Sequence, residues 1–104
     1  MLFRKSAQVT LDATGAGQCQ INADGSALHV TGLSVNTTPA VSKPRVDIYL
    51  NQVSETAWLE GTYSGDRDSS DTVHDLSAGE SLIAVWSGGD PGARGTILAR
   101  GEQA

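Results

Sequence analysis

The sequence predicts an all-β fold, an antiparallel β-sandwich of about eight strands with jelly-roll-like connections. Three observations lead there. Short segments with apolar residues at every second position recur along the chain at roughly even spacing. Clusters of Gly, Pro, Asp, Asn and Ser stand between them, the residues of tight turns. No stretch carries the apolar spacing of an amphipathic helix. An immunoglobulin-like sandwich is the alternative, although the chain has a single cysteine and so lacks that fold's disulfide.

The elements follow in order. Met1 to Ser6 is apolar, then basic, and reads as an N-terminal arm; residues 7–104 read as one sandwich domain. Leu2 and Phe3 need cover, from this domain or a neighbour. Gln8 to Ala13 alternates with Val9 and Leu11 inward. After the Thr14 to Gly17 turn, Gln18 to Ala23 forms a second strand with Cys19 and Ile21 inward. Asp24-Gly25 signals a hairpin. Ala27 to Asn36 is a third strand whose inward phase slips at Thr31-Gly32, which predicts a β-bulge. His29, between inward Leu28 and Val30, points outward. Pro39 and Pro44 bound a connection. Arg45 to Leu50 is a fourth strand, with Val46, Ile48 and Leu50 inward and Arg45, Asp47 and Tyr49 outward. Ala57 to Ser64, Asp71 to Leu76, Ser81 to Ser87 and Arg94 to Gly101 complete the set. Leu76 is a core anchor beside the Gly79 turn.

A chain of 104 residues makes one domain with a modest core. Its net charge of −5 is uneven, because residues 55–80 hold seven acidic side chains and one basic. Acidity of this kind disfavours nucleic acid as a partner. The one cysteine, Cys19, forms no intrachain disulfide and reads as a small core hydrophobe. No segment has the length and apolarity of a membrane span or of a secretion signal.

Few residues offer chemistry. Asp66, Asp68 and Asp71 crowd a loop as calcium ligands do, but the downstream bidentate glutamate of an EF-hand is missing and Arg67 lies among them. They read as a solvated turn, and no metal or cofactor is expected. His29 and His74 are the only histidines, and no Gly-x-Ser-x-Gly elbow accompanies them. A hydrolytic or metal-dependent enzyme would need His74 beside a nucleophile or a filled acidic site; the sequence reads as non-enzymatic. Trp58 and Tyr63 form a candidate glycan platform. Ser87-Gly88-Gly89-Asp90-Pro91-Gly92 is no phosphate cradle, since no helix follows it. The Ser81 to Ser87 strand is apolar on both faces, so one face calls for a second cover; in a small helix-free domain a neighbouring subunit is the natural candidate, and a loop or the N-terminal arm folding over it is the alternative.

The stretches Gly61-Thr62-Tyr63-Ser64-Gly65-Asp66-Arg67-Asp68-Ser69-Ser70-Asp71, Leu76 to Glu80 and Ala84-Val85-Trp86-Ser87-Gly88-Gly89-Asp90-Pro91-Gly92-Ala93 resemble a group of small virion structural proteins of tailed phages that infect actinobacteria. The resemblance covers about residues 45–101 and implies a non-enzymatic part of the particle, on the capsid or at the collar and tail. It brings no catalytic residues. The expectation is therefore a β-sandwich located in the virion that decorates or cements the particle. Its partners would be itself, as a homo-oligomer with a trimer favoured, and the major capsid or other virion proteins. Leu2, Phe3, Leu82 and Trp86 are the candidate interface. The alternative is a carbohydrate-binding module of a host-recognition structure, carried by Trp58 and Tyr63.

Overall fold

A computed structural model describes residues 1–38, 41–62 and 73–104. It has eight strands: β1 (Leu2–Thr10), β2 (Gly17–Asn22), β3 (Leu28–Thr38), β4 (Arg45–Leu50), β5 (Trp58–Thr62), β6 (His74–Leu76), β7 (Ser81–Ser87) and β8 (Arg94–Gln103). One turn of 3-10 helix, Glu55–Ala57, precedes β5. The strands form two four-stranded sheets in the orders β1-β8-β3-β6 and β2-β7-β4-β5, with every pairing antiparallel. Successive strands alternate between sheets except β4 and β5, which is the double Greek key of a jelly roll. The expected all-β sandwich is therefore the observed fold. β4 and β7 have the bounds read from the alternation, and the register of β3 against β8 shifts between Val30 and Gly32, where the sequence changes phase.

The core lies between the sheets and is aliphatic apart from one large ring. Leu11, Ile21, Leu28, Val30, Leu33, Val46, Ile48, Leu76, Leu82, Trp86 and Ile97 are buried in it. Trp86 projects from β7 across the sandwich, fully enclosed, and its Nε1 donates to Thr37 Oγ1 at 2.8 Å on the opposite sheet. Thr37 pairs in register with Gly95. A Cβ on Gly95 would fall 2.5 Å from the indole, so the missing side chain of β8 is the socket for the ring.

This corrects two of the expected interface residues. Leu82 and Trp86 have no exposed surface and belong to the core. The outer face of β7 carries Ile83 and Val85, and Ile83 is only 7 % exposed. The register sets Ile83 between Gln20 of β2 and Tyr49 of β4, so cross-strand neighbours within the chain flank it. The two-sided apolar strand does not require a second subunit.

The N-terminus also differs from the expectation. Residues 1–6 are not a separate arm: β1 begins at Leu2 and pairs with β8 without a break, from Leu2 opposite Glu102 to Thr10 opposite Arg94. Phe3, Ala7 and Val9 pack against the core from this edge strand. Lys5 shares their inward parity and extends to the rim, where its Nζ donates to the Asn22 carbonyl at 2.8 Å and lies 3.4 Å from Asp24. An inward charge on an edge strand discourages pairing with other sheets.

The loops at one end are tied by two aspartates. Asp12 Oδ1 accepts from the Thr14 and Ala16 amides and from the Thr14 hydroxyl, which closes the turn into β2. Asp90 accepts from the Val41 and Ser42 amides at 2.8–3.2 Å, which joins the β7–β8 loop to the β3–β4 connection. The Gly-Gly-Asp-Pro-Gly run is thus a loop clasp.

Candidate functional site

The outer face of the second sheet holds the most built polar arrangement in the described residues. Val46 and Ile48 point into the core, so alternation turns Arg45, Asp47 and Tyr49 of β4 outward. β5 pairs beside them with a register shift between Ile48 and Tyr49. That irregularity lets Trp58 and Gly61, which differ in parity, stand next to the outward residues Tyr49 and Asp47, while Glu60 between them turns inward.

Asp47 is the centre of this face. Its carboxylate accepts from Arg45 Nε at 2.8 and 3.0 Å and from the Trp58 indole N–H at 2.9 Å. It is 8 % exposed although it faces outward. Burial acts to raise its pKa, and the hydrogen bonds from Arg45 and Trp58, with the charge of Arg45, outweigh it and hold the carboxyl below its ordinary value. Gly61 makes the arrangement possible, because a Cβ there would lie 2.6 Å from Asp47 Oδ1 and 3.5 Å from the Trp58 ring. Arg45, Asp47, Tyr49, Glu55 and Trp58 line an open concavity of about 550 Å³. Trp58 is 47 % exposed within it.

Of the candidate glycan platform, Trp58 is partly exposed on this face, and Tyr63 lies outside the described residues, as do Asp66, Asp68 and Asp71. The aromatic neighbour of Trp58 in register is Tyr49. Sequence reasoning placed Arg45, Asp47 and Tyr49 on an outer face without joining them to Trp58. The Asp47–Gly61 pairing was the missing link, and no periodicity signals it.

Both histidines are engaged with carboxylates. His29 Nδ1 meets Asp75 on the exposed surface, outward as expected. His74 Nε2 lies 2.7 Å from Glu60 Oε2, and both side chains are nearly buried. β6 and β5 are edge strands of different sheets, so this pair links the two sheets. Among the described residues no group of three His, Cys, Asp or Glu side chains gathers in one place. Cys19 is half-buried against the core, and burial pushes its thiol up to about 11.

The outer face of the first sheet is different in character. Arg4 and Arg100 stand directly opposite each other on β1 and β8, and Arg94 lies further along β8. All three are exposed. Arg100 lies across Gly32, where a Cβ would fall 2.6 Å from its Nε. Glu102 on β8 and Asp75 on β6 share this face, so among the described residues its three arginines meet two carboxylates gathered at one end, opposite Leu2 and beside His29. Of the remaining expected interface residues, Phe3 is half-buried against the core, while Leu2 is 80 % exposed at the edge of this face.

No protein-family model matches this chain, and no curated protein is significantly similar to it.

Proposed function

We propose that this chain is a non-enzymatic structural protein of a tailed-phage particle, which decorates or cements the capsid or forms part of the collar or tail. The observation that carries the reading is the outer face of the first sheet, where Arg4 stands opposite Arg100, Arg94 lies at the far end of the same strand pair, and exposed Leu2 stands at the near end opposite Glu102. Like charges directly opposite on neighbouring strands destabilise an isolated sheet. Such a face gains when an acidic surface covers it, and an apolar side chain at its edge adds area that binding removes from water. The resemblance of residues 45–101 to phage virion proteins names the setting, and the chain acts there as a homo-oligomer, a trimer, bound to the major capsid or another virion protein.

The test has two parts. Particles purified from the phage that encodes the chain should contain it in fixed ratio to the capsid protein, measured by quantitative mass spectrometry. Purified chain should add back to stripped particles, and Arg4→Glu with Arg100→Glu should abolish this while leaving the circular dichroism spectrum unchanged. Absence of the chain from the particles, or normal binding by the double variant, overturns the reading.

A further inference from the structure

We infer that the concavity on the outer face of the second sheet is a saccharide-binding site, with Trp58 as the stacking surface and Asp47, Arg45 and Glu55 as the hydroxyl-binding groups. It lies on the opposite face of the sandwich from the arginines above and rests on none of the argument made for them.

Three properties of the site carry this. The first is preorganisation. The indole is held by its N–H on Asp47 and backed by Gly61, yet Trp58 remains 47 % exposed. A fixed, half-open aromatic surface binds with little loss of side-chain freedom. The second is the mixture of polar groups. A sugar hydroxyl both donates and accepts; here a carboxylate and a guanidinium lie side by side, with Glu55 adding a second acceptor. The C–H face of a pyranose ring is apolar and stacks on the indole while its hydroxyls reach that rim. The third is scale and charge. The concavity of about 550 Å³ suits a small ligand. Among the described residues lining it, Arg45 offsets Asp47 and Glu55 adds a negative charge, which disfavours nucleotides and other anions. Arg45 also occupies the carboxylate that a cationic side chain would need.

The two tryptophans provide a test with an internal control. In a ¹H–¹⁵N spectrum the chain shows two indole N–H signals, and Trp58→Phe assigns them. Titrations with glucose, galactose, mannose, rhamnose and N-acetylglucosamine, each to about 100 mM, should include at least one that moves the Trp58 signal saturably, since single-ring ligands bind in the millimolar range. The Trp86 signal, enclosed in the core, should stay still. Trp58→Ala, followed through backbone amide signals of β4, should weaken that binding at least about tenfold. Gly61→Ala should do the same by displacing the Asp47 carboxylate, with thermal melts confirming that both variants fold. If none of the five sugars moves the signal, if Trp58→Ala binds as wild type does, or if a lysine-rich peptide saturates the site where sugars do not, the inference is wrong.

Discussion

Trp86 reaches from β7 to the opposite sheet, and two residues on two neighbouring strands, together with the core, must cooperate to accept it. Thr37 satisfies its N–H, Gly95 leaves room for the ring, and the aliphatic core closes around it. Trp86→Ala should cost about 3–5 kcal/mol in urea unfolding, and Leu76→Ala about 2–5 kcal/mol, as enclosed large-to-small changes do. Gly95→Ala should cost about 1–3 kcal/mol through overpacking, although it adds only one methyl group. A loss below about 0.5 kcal/mol for Gly95→Ala would mean that the socket yields freely. The carboxylates give a second prediction. The Thr14 hydroxyl and the Thr14 and Ala16 amides lower the pKa of Asp12, and the Ser77 amide with Asn51 lowers that of Glu80. Asp47 is lowered as well. A carboxyl depressed in the folded state stabilises the protein above its unfolded pKa, and the contribution is lost as pH falls through the folded pKa. The melting temperature should therefore hold from neutrality to about pH 5 and fall below about pH 4. Asp47→Asn should flatten that acid limb; an unchanged limb would show that Asp47 contributes nothing to it.

At the scale of elements, Glu60 with His74 joins β5 and β6, edge strands of different sheets. Removing one member of a nearly buried hydrogen-bonded pair leaves a polar group of the other without its partner and costs about 1–3 kcal/mol. Glu60→Leu should show this, and a double-mutant cycle with His74→Leu should return a coupling of at least about 1 kcal/mol. Additive losses would mean that the two residues act separately. The same region marks where sequence periodicity loses the structure. β4 and β7 were legible because their alternation is unbroken, and the slip in β3 was legible because Gly32 sits on it. In β5 the irregular residue is Leu59, an ordinary strand former, so nothing signals that Glu60 turns inward while Trp58 and Gly61 turn outward. The candidate site depends on that turn and was legible only as separate residues. The first six residues of β1 were missed for a different reason, the strand read from Gln8 to Ala13 covering only its end. Phe3, Lys5, Ala7 and Val9 do alternate inward, but Lys5 breaks the apolar pattern because its long stem carries the ammonium to the rim.

At the scale of the molecule, the two outer faces differ in chemistry: arginines and Leu2 on the first sheet, a ring above a fixed carboxylate on the second. Leu2→Asp should lower the solution mass from that of an oligomer towards that of a monomer, read by light scattering, with an unchanged circular dichroism spectrum. A wild-type chain that stays monomeric at high micromolar concentration would remove the self-association from the proposed role. The jelly-roll order also brings the first and last strands together, and the backbones of Met1 and Gln103 exchange hydrogen bonds at 3.2 and 2.6 Å. Mechanically, this is a zipper with both tabs at one end. Tension applied through residues 1 and 104 loads the pairs between β1 and β8 one after another, beginning at Leu2 and Glu102, instead of all together. Pulled between residue 1 and residue 94, at the far end of β8, the same strands would slide in shear and share the load. In a single-molecule force measurement the first geometry should yield at the lower force. Load carried through the broad faces would bypass this strand pair, and a tether attached to residues 1 and 104 would peel it open.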